Sequence, residues 1–226
     1  MTISPSLRKE LEAFENLIEN APDAPSLPTA EEQAELDRIA VIETLTARQR
    51  QALAKSTGWP AKALTDVQTI PLKGDKWLER FEKAKAVIAN DGILILFGGR
   101  GPGKSRMAAE LAVIQGQADY ITAMGFFLDV RATYNRNSDV TERDIINELT
   151  ASRLLVLDEM QVRGDKPFED RLLTHLVDAR YAAQRPTILI ANLTRPELSE
   201  SLGASIVDRV RENGMVIEFN WPSFRA

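Results

Sequence analysis

One glycine-rich segment of the chain has the residues and spacing of a phosphate-binding loop. It runs from Gly98 to Ser105 and fits the pattern GxxxxGK followed by Ser or Thr. An unbroken apolar run precedes it at 93–97, and helix-forming residues follow at 107–112. Such a strand–loop–helix unit directs backbone N–H groups and the positive end of the helix dipole at a polyphosphate. We expect Lys104 to reach the outer phosphates and the Ser105 hydroxyl to bind Mg²⁺. The alternative is a glycine-rich turn that matches by chance.

Two carboxylates form the second candidate site, because Asp158 and Glu159 directly follow the apolar run 154–157. In a parallel sheet, ligands bind beyond the carboxyl ends of the strands, so both acids are expected beside the phosphate loop. There Asp158 would hold the Mg²⁺ shell and Glu159 would polarise the attacking water. The structural alternative is that both acids cap the next helix.

Three further polar residues can be interpreted only in relation to these motifs. Asn192 follows an apolar run at 188–191 and could position the water or sense the γ-phosphate, although Asn is also favoured in turns. Arg209 or Arg211 could reach the γ-phosphate of a neighbouring subunit if the chain forms a ring. By spacing alone, a solvated helix face with an Asp–Arg pair is the better interpretation of these arginines.

The elements that must position these residues alternate between helices and strands from residue 76 onward. Such alternation predicts an α/β fold in which a five-stranded parallel sheet is covered on both faces. The predicted helix before the phosphate loop spans 76–90, and the predicted strands span 93–97, 119–122, 154–157, 187–191 and 215–219.

The first quarter of the chain predicts a separate helical module. Apolar residues recur at helical spacing on both sides of a proline-rich stretch at 21–28. We therefore divide the chain into a module at 1–56, a linker at 57–75 and a P-loop core at 76–226. The module could be a packing appendage or, because it is acidic and carries an apolar stripe, a docking surface.

Composition excludes several classes of protein. The 226 residues contain no cysteine and one histidine, which excludes disulfides and thiolate metal sites and argues against a histidine-based triad. His175 falls within a predicted helix, where a surface or packing role is expected. No apolar stretch has the length of a membrane span and no signal-peptide pattern is present, so a cytoplasmic protein is expected. The net charge of −5 argues against coating nucleic acid by bulk charge, so any DNA contact must come from a local patch.

In order and spacing, these motifs resemble those of the DnaC-type bacterial and phage helicase loaders, AAA+ ATPases grouped with DnaI and the transposition ATPase IstB. The most discriminating segment is 202–225, which includes Phe219-Asn220-Trp221-Pro222-Ser223 and is more similar to DnaC than to IstB. The resemblance covers about residues 57–226. It implies an AAA+ core with a much reduced lid, with ATP and Mg²⁺ as cofactors, since fewer than forty residues follow Asn192.

The resemblance also implies roles for residues that spacing alone does not assign. Arg209 would be an arginine finger and Arg225 a second sensor arginine. Single-stranded DNA contacts are implied in the helix before the two acids and in the loop after them, where cations would track phosphates and aromatic rings would stack on bases. The aromatic members could instead be ordinary core residues. The implied DNA contacts are Arg131, Tyr134, Lys166 and Phe168. The implied nucleotide-binding residues are Gly98, Gly101, Gly103, Lys104, Ser105, Arg106 and Arg225. The implied catalytic residues are Lys104, Glu159, Asn192 and Arg209.

The function that the resemblance implies is ATP-dependent delivery of a DnaB-type hexameric helicase onto single-stranded DNA. The N-terminal helices would contact the helicase, and the core would self-associate into a ring or spiral. The alternatives are an IstB-like ATPase acting on duplex DNA and an ATP-binding adaptor with negligible turnover. Two departures from the pattern are notable. Arg100 and Pro102 in the phosphate loop could alter the rate of hydrolysis, and the acidic N-terminal module suggests a different helicase partner.

Overall fold

The computed structural model describes residues 57–63 and 75–223, all of which fall within the compact unit Leu45–Ala226. The predicted helices of 1–56 and the predicted sensor Arg225 lie outside the described residues.

Helices and strands alternate through the described core as the apolar runs predict. Each of the five strands agrees with its predicted bounds to within one residue at either end. In chain order the elements are α1 (Asp75–Ala89), β1 (Ile93–Gly98), α2 (Lys104–Gln115), β2 (Asp119–Thr122), α3 (Ala123–Ala132), α4 (Glu142–Ala151), β3 (Leu155–Asp158), α5 (Lys166–Ala182), β4 (Thr187–Ala191), α6 (Arg195–Ser201), α7 (Ala204–Asn213) and β5 (Gly214–Phe219).

The five strands form one parallel sheet in the order β2-β3-β4-β1-β5. The predicted α/β fold with a five-stranded parallel sheet is therefore confirmed. Phe97 of β1 pairs with Ala191 of β4, and Leu157 of β3 pairs with Leu189. This register brings the carboxyl ends of β1, β3 and β4 to the same edge of the sheet.

Both faces of the sheet are covered, which explains why the central strands are apolar throughout. Successive side chains of β1 point to opposite faces, so Leu94 and Leu96 pack under α1 and α2 while Ile93 and Ile95 pack under α3, α5 and α7. Fully burying an Ile or Leu in this way stabilises the fold by about 1.5–3 kcal/mol. The sheet thus supplies a rigid frame for the loops at its edge.

The start of the predicted linker 57–75 is part of this core. Trp59 is buried, and its indole N–H donates to the Ala118 carbonyl at 2.7 Å. The Thr57 carbonyl accepts from the backbone N–H of Tyr120 at 3.0 Å, which seats the segment on β2. Residues 57–60 therefore belong to the core, and composition alone did not reveal this because Gly58 and Pro60 are typical of linkers.

The chain after Asn192 forms α6, α7 and β5. The two helices pack on the sheet, and β5 lies within it. Up to Ser223, the described residues after Asn192 thus contain no separate helical lid domain.

Candidate nucleotide-binding site and basic–aromatic surface

The phosphate loop turns through backbone conformations that glycine adopts readily. Gly98, Gly101 and Gly103 have φ values of 130°, 100° and 98°. At Gly101 an added Cβ would lie 2.0 Å from Oγ of Ser223. At Gly98 it would lie 2.5 Å from the carbonyl oxygen of Phe219. Both conformation and close approach of the C-terminal chain therefore require glycine at these two positions.

The loop lysine is folded back across the loop and nearly buried. Lys104 is 5% exposed, and its Nζ donates to the carbonyl oxygens of Gly98 at 2.9 Å and Gly99 at 2.6 Å. Because a charge-assisted bond to phosphate is stronger than one to a neutral carbonyl, a polyphosphate could compete with these two oxygens for the ammonium.

The serine of the loop meets the first carboxylate across the sheet edge. Ser105 Oγ donates to Asp158 Oδ2 at 3.1 Å, and Asp158 is 5% exposed. Glu159 is the next residue; it is exposed and has a φ of 57°. Its backbone N–H donates to Asp158 Oδ1 at 2.6 Å. A non-glycine residue in this left-handed conformation is uncommon and occurs often at functional sites.

The donors at this point suit a magnesium–phosphate complex. Mg²⁺ prefers oxygen ligands and usually takes one or two protein side chains together with phosphate oxygens and water. Ser105 and Asp158 are such a pair. Among residues 57–63 and 75–223, no group of three His, Cys, Asp or Glu side chains could hold a metal ion by itself. The site therefore fits Mg²⁺ that arrives with a nucleotide.

Tyr120 is a member of this site that sequence reasoning missed. Its hydroxyl donates to Asp158 Oδ2 at 2.8 Å, so one carboxylate oxygen accepts from both Tyr120 and Ser105. Burial, followed by the charge and hydrogen bond of Asp158, raises the pKa of the Tyr120 phenol. The hydroxyl is therefore protonated at neutral pH and acts as a donor.

Two tryptophans contact the phosphate loop and were also missed. The indole N–H of Trp221 donates to the Pro102 carbonyl at 3.0 Å, and that of Trp77 to the Gly103 carbonyl at 3.4 Å. The C-terminal chain thus lies against the loop interior that the sequence marked as unusual. Arg106, a predicted nucleotide ligand, instead pairs with Glu110 one turn along α2.

The remaining predicted catalytic residues lie on different elements. Asn192 directly follows β4, and its backbone N–H donates to Gln161 Oε1 at 3.0 Å, which places it at the same sheet edge as Asp158. Arg209 lies on α7, where its Nε is 3.4 Å from Asp178 Oδ1 and its guanidinium is 4.8 Å from the Tyr181 ring centroid.

Arg211 and His175 have the simple surface roles that the sequence also allows. Arg211 is exposed on α7 and pairs with Asp208 at 3.5 Å, which is the solvated Asp–Arg pair. His175 is exposed on α5.

The four predicted DNA contacts lie on elements that differ from those expected. Arg131 is on α3, and α4 separates α3 from β3. Tyr134 lies just beyond the end of α3. Lys166 and Phe168 are in the first turn of α5 and not in a loop, because Pro167 suits the start of a helix.

Three of these residues nevertheless meet. The Arg131 guanidinium is 5.4 Å from the centroid of Phe168, and the Tyr134 ring approaches Phe168 edge-on at 6.2 Å. Arg171, which the sequence did not single out, lies over the same ring at 5.4 Å. We call Arg131, Tyr134, Phe168 and Arg171 the basic–aromatic cluster. Lys166 is exposed two residues from it.

One acid organises the exposed part of the cluster. Tyr134 is 57% exposed, so the alternative that it is a core residue is wrong, whereas Phe168 is half-buried and packs against the core as that alternative predicts. Glu142 accepts from the Tyr134 hydroxyl at 2.6 Å and from Arg171 at 3.0 and 3.3 Å. Arg171 and then Tyr134 lower the pKa of Glu142.

A buried carboxylate joins this cluster to the loop after the two acids. Glu169 is fully buried; its Oε1 accepts from Arg131 Nη2 at 3.1 Å and its Oε2 from the Gly164 N–H at 2.8 Å. Gly164 lies in the segment that connects Glu159 to α5. Glu169 therefore holds Arg131 of the cluster and the backbone of Gly164 together.

Comparison with known proteins confirms the resemblance seen in the sequence. The chain is 28% identical over 158 residues to the replicative helicase loader DnaC of Escherichia coli strain K12, across 68% of this chain and 62% of that protein. The chain thus spans about three fifths of the length of this curated relative. No protein-family model matches the chain.

Solved structures share the fold at low sequence identity. DnaI aligns with a TM-score of 0.60 and 19% identity, over 79% of this chain and all of that one. The replication initiator DnaA bound to AMPPCP and single-stranded DNA aligns with a TM-score of 0.54 and 20% identity, over 69% of this chain and 49% of that one. These likenesses show that the described core shares the fold of DnaI and of DnaA. Within the described residues, no helix combines the length and hydropathy needed to cross a membrane.

Proposed function

We propose that this chain is an ATP-dependent helicase loader that binds single-stranded DNA and delivers a DnaB-type helicase ring during replication initiation. The observation that carries the proposal is the convergence of Ser105 and Asp158, 3.1 Å apart, beside a glycine loop at the edge of an AAA+ sheet. Similarity to proteins named replicative helicase loaders supplies the biological role.

The nucleotide chemistry follows from the positions of the side chains. Lys104 binds the outer phosphates, and Ser105 with Asp158 holds Mg²⁺, which neutralises charge on the phosphates when it is bound. Glu159 is exposed at the same edge and orients the attacking water, with Asn192 beside the γ-phosphate. The chain is thus an Mg²⁺-dependent ATPase.

Assembly of several subunits gives Arg209 its role. On α7 it is one third exposed and is steadied by Asp178 and Tyr181. In a ring or spiral it reaches the nucleotide of a neighbouring subunit as an arginine finger, which stabilises charge in the transition state. Residues 1–56 bind the helicase, in the cytoplasm where replication takes place.

The basic–aromatic cluster, with Lys166, is the surface for single-stranded DNA. Guanidinium groups contact phosphates without sequence preference, and an exposed tyrosine offers a face on which a base can stack. The DnaA structure that shares this fold is bound to both AMPPCP and single-stranded DNA, which supports a site for each ligand on such a core.

The proposal is tested by helicase loading on a single-stranded circle coated with single-strand-binding protein, using the DnaB-type helicase of the native host. The wild-type chain should load the helicase in the presence of ATP and Mg²⁺. Lys104→Ala should bind ATP at least about 100-fold more weakly and should fail to load it, because the phosphates lose their main cation. Lys83→Ala, which removes an exposed lysine paired with Glu79, is the control. Unchanged ATP affinity in Lys104→Ala, or no loading by the wild type, would refute the proposal.

The finger assignment has its own matched pair of variants on α7. Arg209→Ala should retain ATP binding but lose at least about 90% of DNA-stimulated hydrolysis, since fingers contribute 10³–10⁵ to turnover. Arg211→Ala, which removes an exposed arginine from the same helix, should hydrolyse ATP normally. A preference for duplex over single-stranded DNA in the wild type would favour the IstB-like alternative.

A further inference from the structure

Tyr120 of β2 and Ser105 of the phosphate loop hold the same carboxylate oxygen of the candidate magnesium site. The Tyr120 hydroxyl lies 2.8 Å from Asp158 Oδ2, and the Ser105 hydroxyl lies 3.1 Å from the same oxygen. Hydrogen bonds to a carboxylate are stronger than those between neutral groups. Two donors on one oxygen fix the plane of the carboxylate as well as its position.

Tyr120 is itself fixed by the segment that is seated on β2. Its backbone N–H donates to the Thr57 carbonyl at 3.0 Å, and its ring centroid is 5.1 Å from that of Trp59. Gly58 has a φ of 79°, and an added Cβ there would lie 1.8 Å from the Tyr120 carbonyl oxygen. Residues 57 and 58 therefore hold the backbone of Tyr120, and the bond to Asp158 orients its hydroxyl.

We propose that Tyr120 is a positioning residue that orients Asp158 for Mg²⁺ and thereby sets the metal requirement of nucleotide binding. This inference rests on the proposed function. A partner that orients a metal ligand typically contributes 10- to 100-fold to metal affinity. Because Tyr120 acts through Asp158, its effect on nucleotide binding should appear only when Mg²⁺ is present.

The test compares two variants that each remove one side-chain hydrogen bond close to Tyr120. Tyr120→Phe removes the hydroxyl on Asp158 and keeps the ring on Trp59. Trp59→Phe removes the bond to the Ala118 carbonyl and keeps an aromatic ring beside Tyr120. For each, a fluorescent non-hydrolysable ATP analogue is titrated at increasing Mg²⁺ and again with EDTA, and thermal unfolding is measured without nucleotide.

In Tyr120→Phe, the Mg²⁺ concentration for half-maximal nucleotide binding should rise about tenfold, with affinity in EDTA unchanged. Trp59→Phe should lower the unfolding temperature to a similar extent and leave the Mg²⁺ requirement unchanged. In an Asp158→Asn background, Tyr120→Phe should have no further effect, because the oriented carboxylate is already gone.

Three results would overturn the inference alone: an unchanged or lower Mg²⁺ requirement in Tyr120→Phe, an equal rise in Trp59→Phe, or a weaker affinity of Tyr120→Phe in EDTA. Failure of the wild-type chain to bind the analogue at any Mg²⁺ concentration would instead overturn the proposed function, and this inference with it.

Discussion

The nucleotide site and the basic–aromatic cluster are assembled in different ways. At the nucleotide site, Lys104 and Asp158 are each 5% exposed and are placed by backbone that follows parallel strands. In the cluster, Tyr134 and Arg171 are more than half exposed and are placed by contacts between side chains from separate helices.

This difference predicts how each site responds to substitution. Charges removed from water interact strongly with fixed partners, whereas exposed charges are screened and individually contribute little. A single change should therefore disable the nucleotide site, whereas the cluster should lose affinity in small steps. The difference is tested most directly by altering the backbone of the nucleotide site and the side chains of the cluster.

Among the variants that compare the two sites, the largest effect is expected from Gly101→Ala. The φ of 100° and the contact with Ser223 both oppose a Cβ, and strain of this kind costs about 1–3 kcal/mol. Nucleotide affinity should fall about 10- to 100-fold, measured by titration with a fluorescent ATP analogue. Gly99→Ala is the matched control, because a Cβ there has nothing within 4 Å. Equal losses in the two variants would show that loop flexibility, and not the imposed backbone, governs binding.

Glu169→Gln should have the next largest effect, because it weakens the buried contacts of Glu169 with Arg131 and with the backbone of Gly164. An amide cannot accept from both Arg131 and the Gly164 N–H while leaving its own N–H₂ satisfied, which costs about 1–3 kcal/mol for a buried group. Urea unfolding should show this loss, and single-stranded DNA should no longer stimulate hydrolysis. Glu148→Gln, on the exposed face of α4, is the control. If single-stranded DNA still stimulates hydrolysis normally in Glu169→Gln, then Glu169 does not couple the two sites.

The sequence predicts the nucleotide site better than the cluster for the same physical reason. Glycines, lysine and serine of the loop are contiguous, and the apolar runs define β1 and β3, so the parallel-sheet rule brings Asp158 to Ser105. Of the cluster, the resemblance supplied Arg131, Tyr134 and Phe168 but not Arg171. Arg171 follows Phe168 by three residues on α5, so helical spacing would have placed it beside that ring. What spacing cannot show is that Arg131 of α3 lies over the same ring, because this depends on how α3 packs on α5.

Buried polar side chains were the other residues that could not be predicted. An arginine in a helix is usually exposed, but Arg180 of α5 is fully buried. Its guanidinium donates to Thr187 Oγ1 and to the carbonyl oxygens of Leu149, Ser152 and Pro186. Burial lowers its pKa to about 9. Tyr120 is likewise an ordinary strand residue by propensity. Their roles depend on partners 6 to 38 residues away.

A smaller effect is expected within the cluster from Phe168→Ala. Phe168 supports the ring of Tyr134, on which a base can stack, and stacking contributes about 1–3 kcal/mol per base, so affinity for oligo(dT) should fall about tenfold by fluorescence anisotropy. Its dependence on salt should be unchanged, whereas Arg171→Ala should reduce the slope of log affinity against log salt by about one. Leu128→Ala, an exposed apolar residue of α3, is the control. A loss in Phe168→Ala as large as that in Gly101→Ala would contradict the contrast between the sites.

The smallest effect is expected from Glu142→Gln and depends on pH. Arg171 and Tyr134 lower the pKa of Glu142 in the folded chain, so its contribution to stability is present above the unfolded pKa of about 4.3 and is lost as pH falls through the folded value. Because Arg171 is 53% exposed, the contribution should be below about 1 kcal/mol. Thermal unfolding should therefore show a small deficit in Glu142→Gln at pH 7 that shrinks between pH about 5 and 3. A deficit that persists at pH 3 would mean that Glu142 acts through packing and not through its charge, which would place it with the buried groups of the nucleotide site.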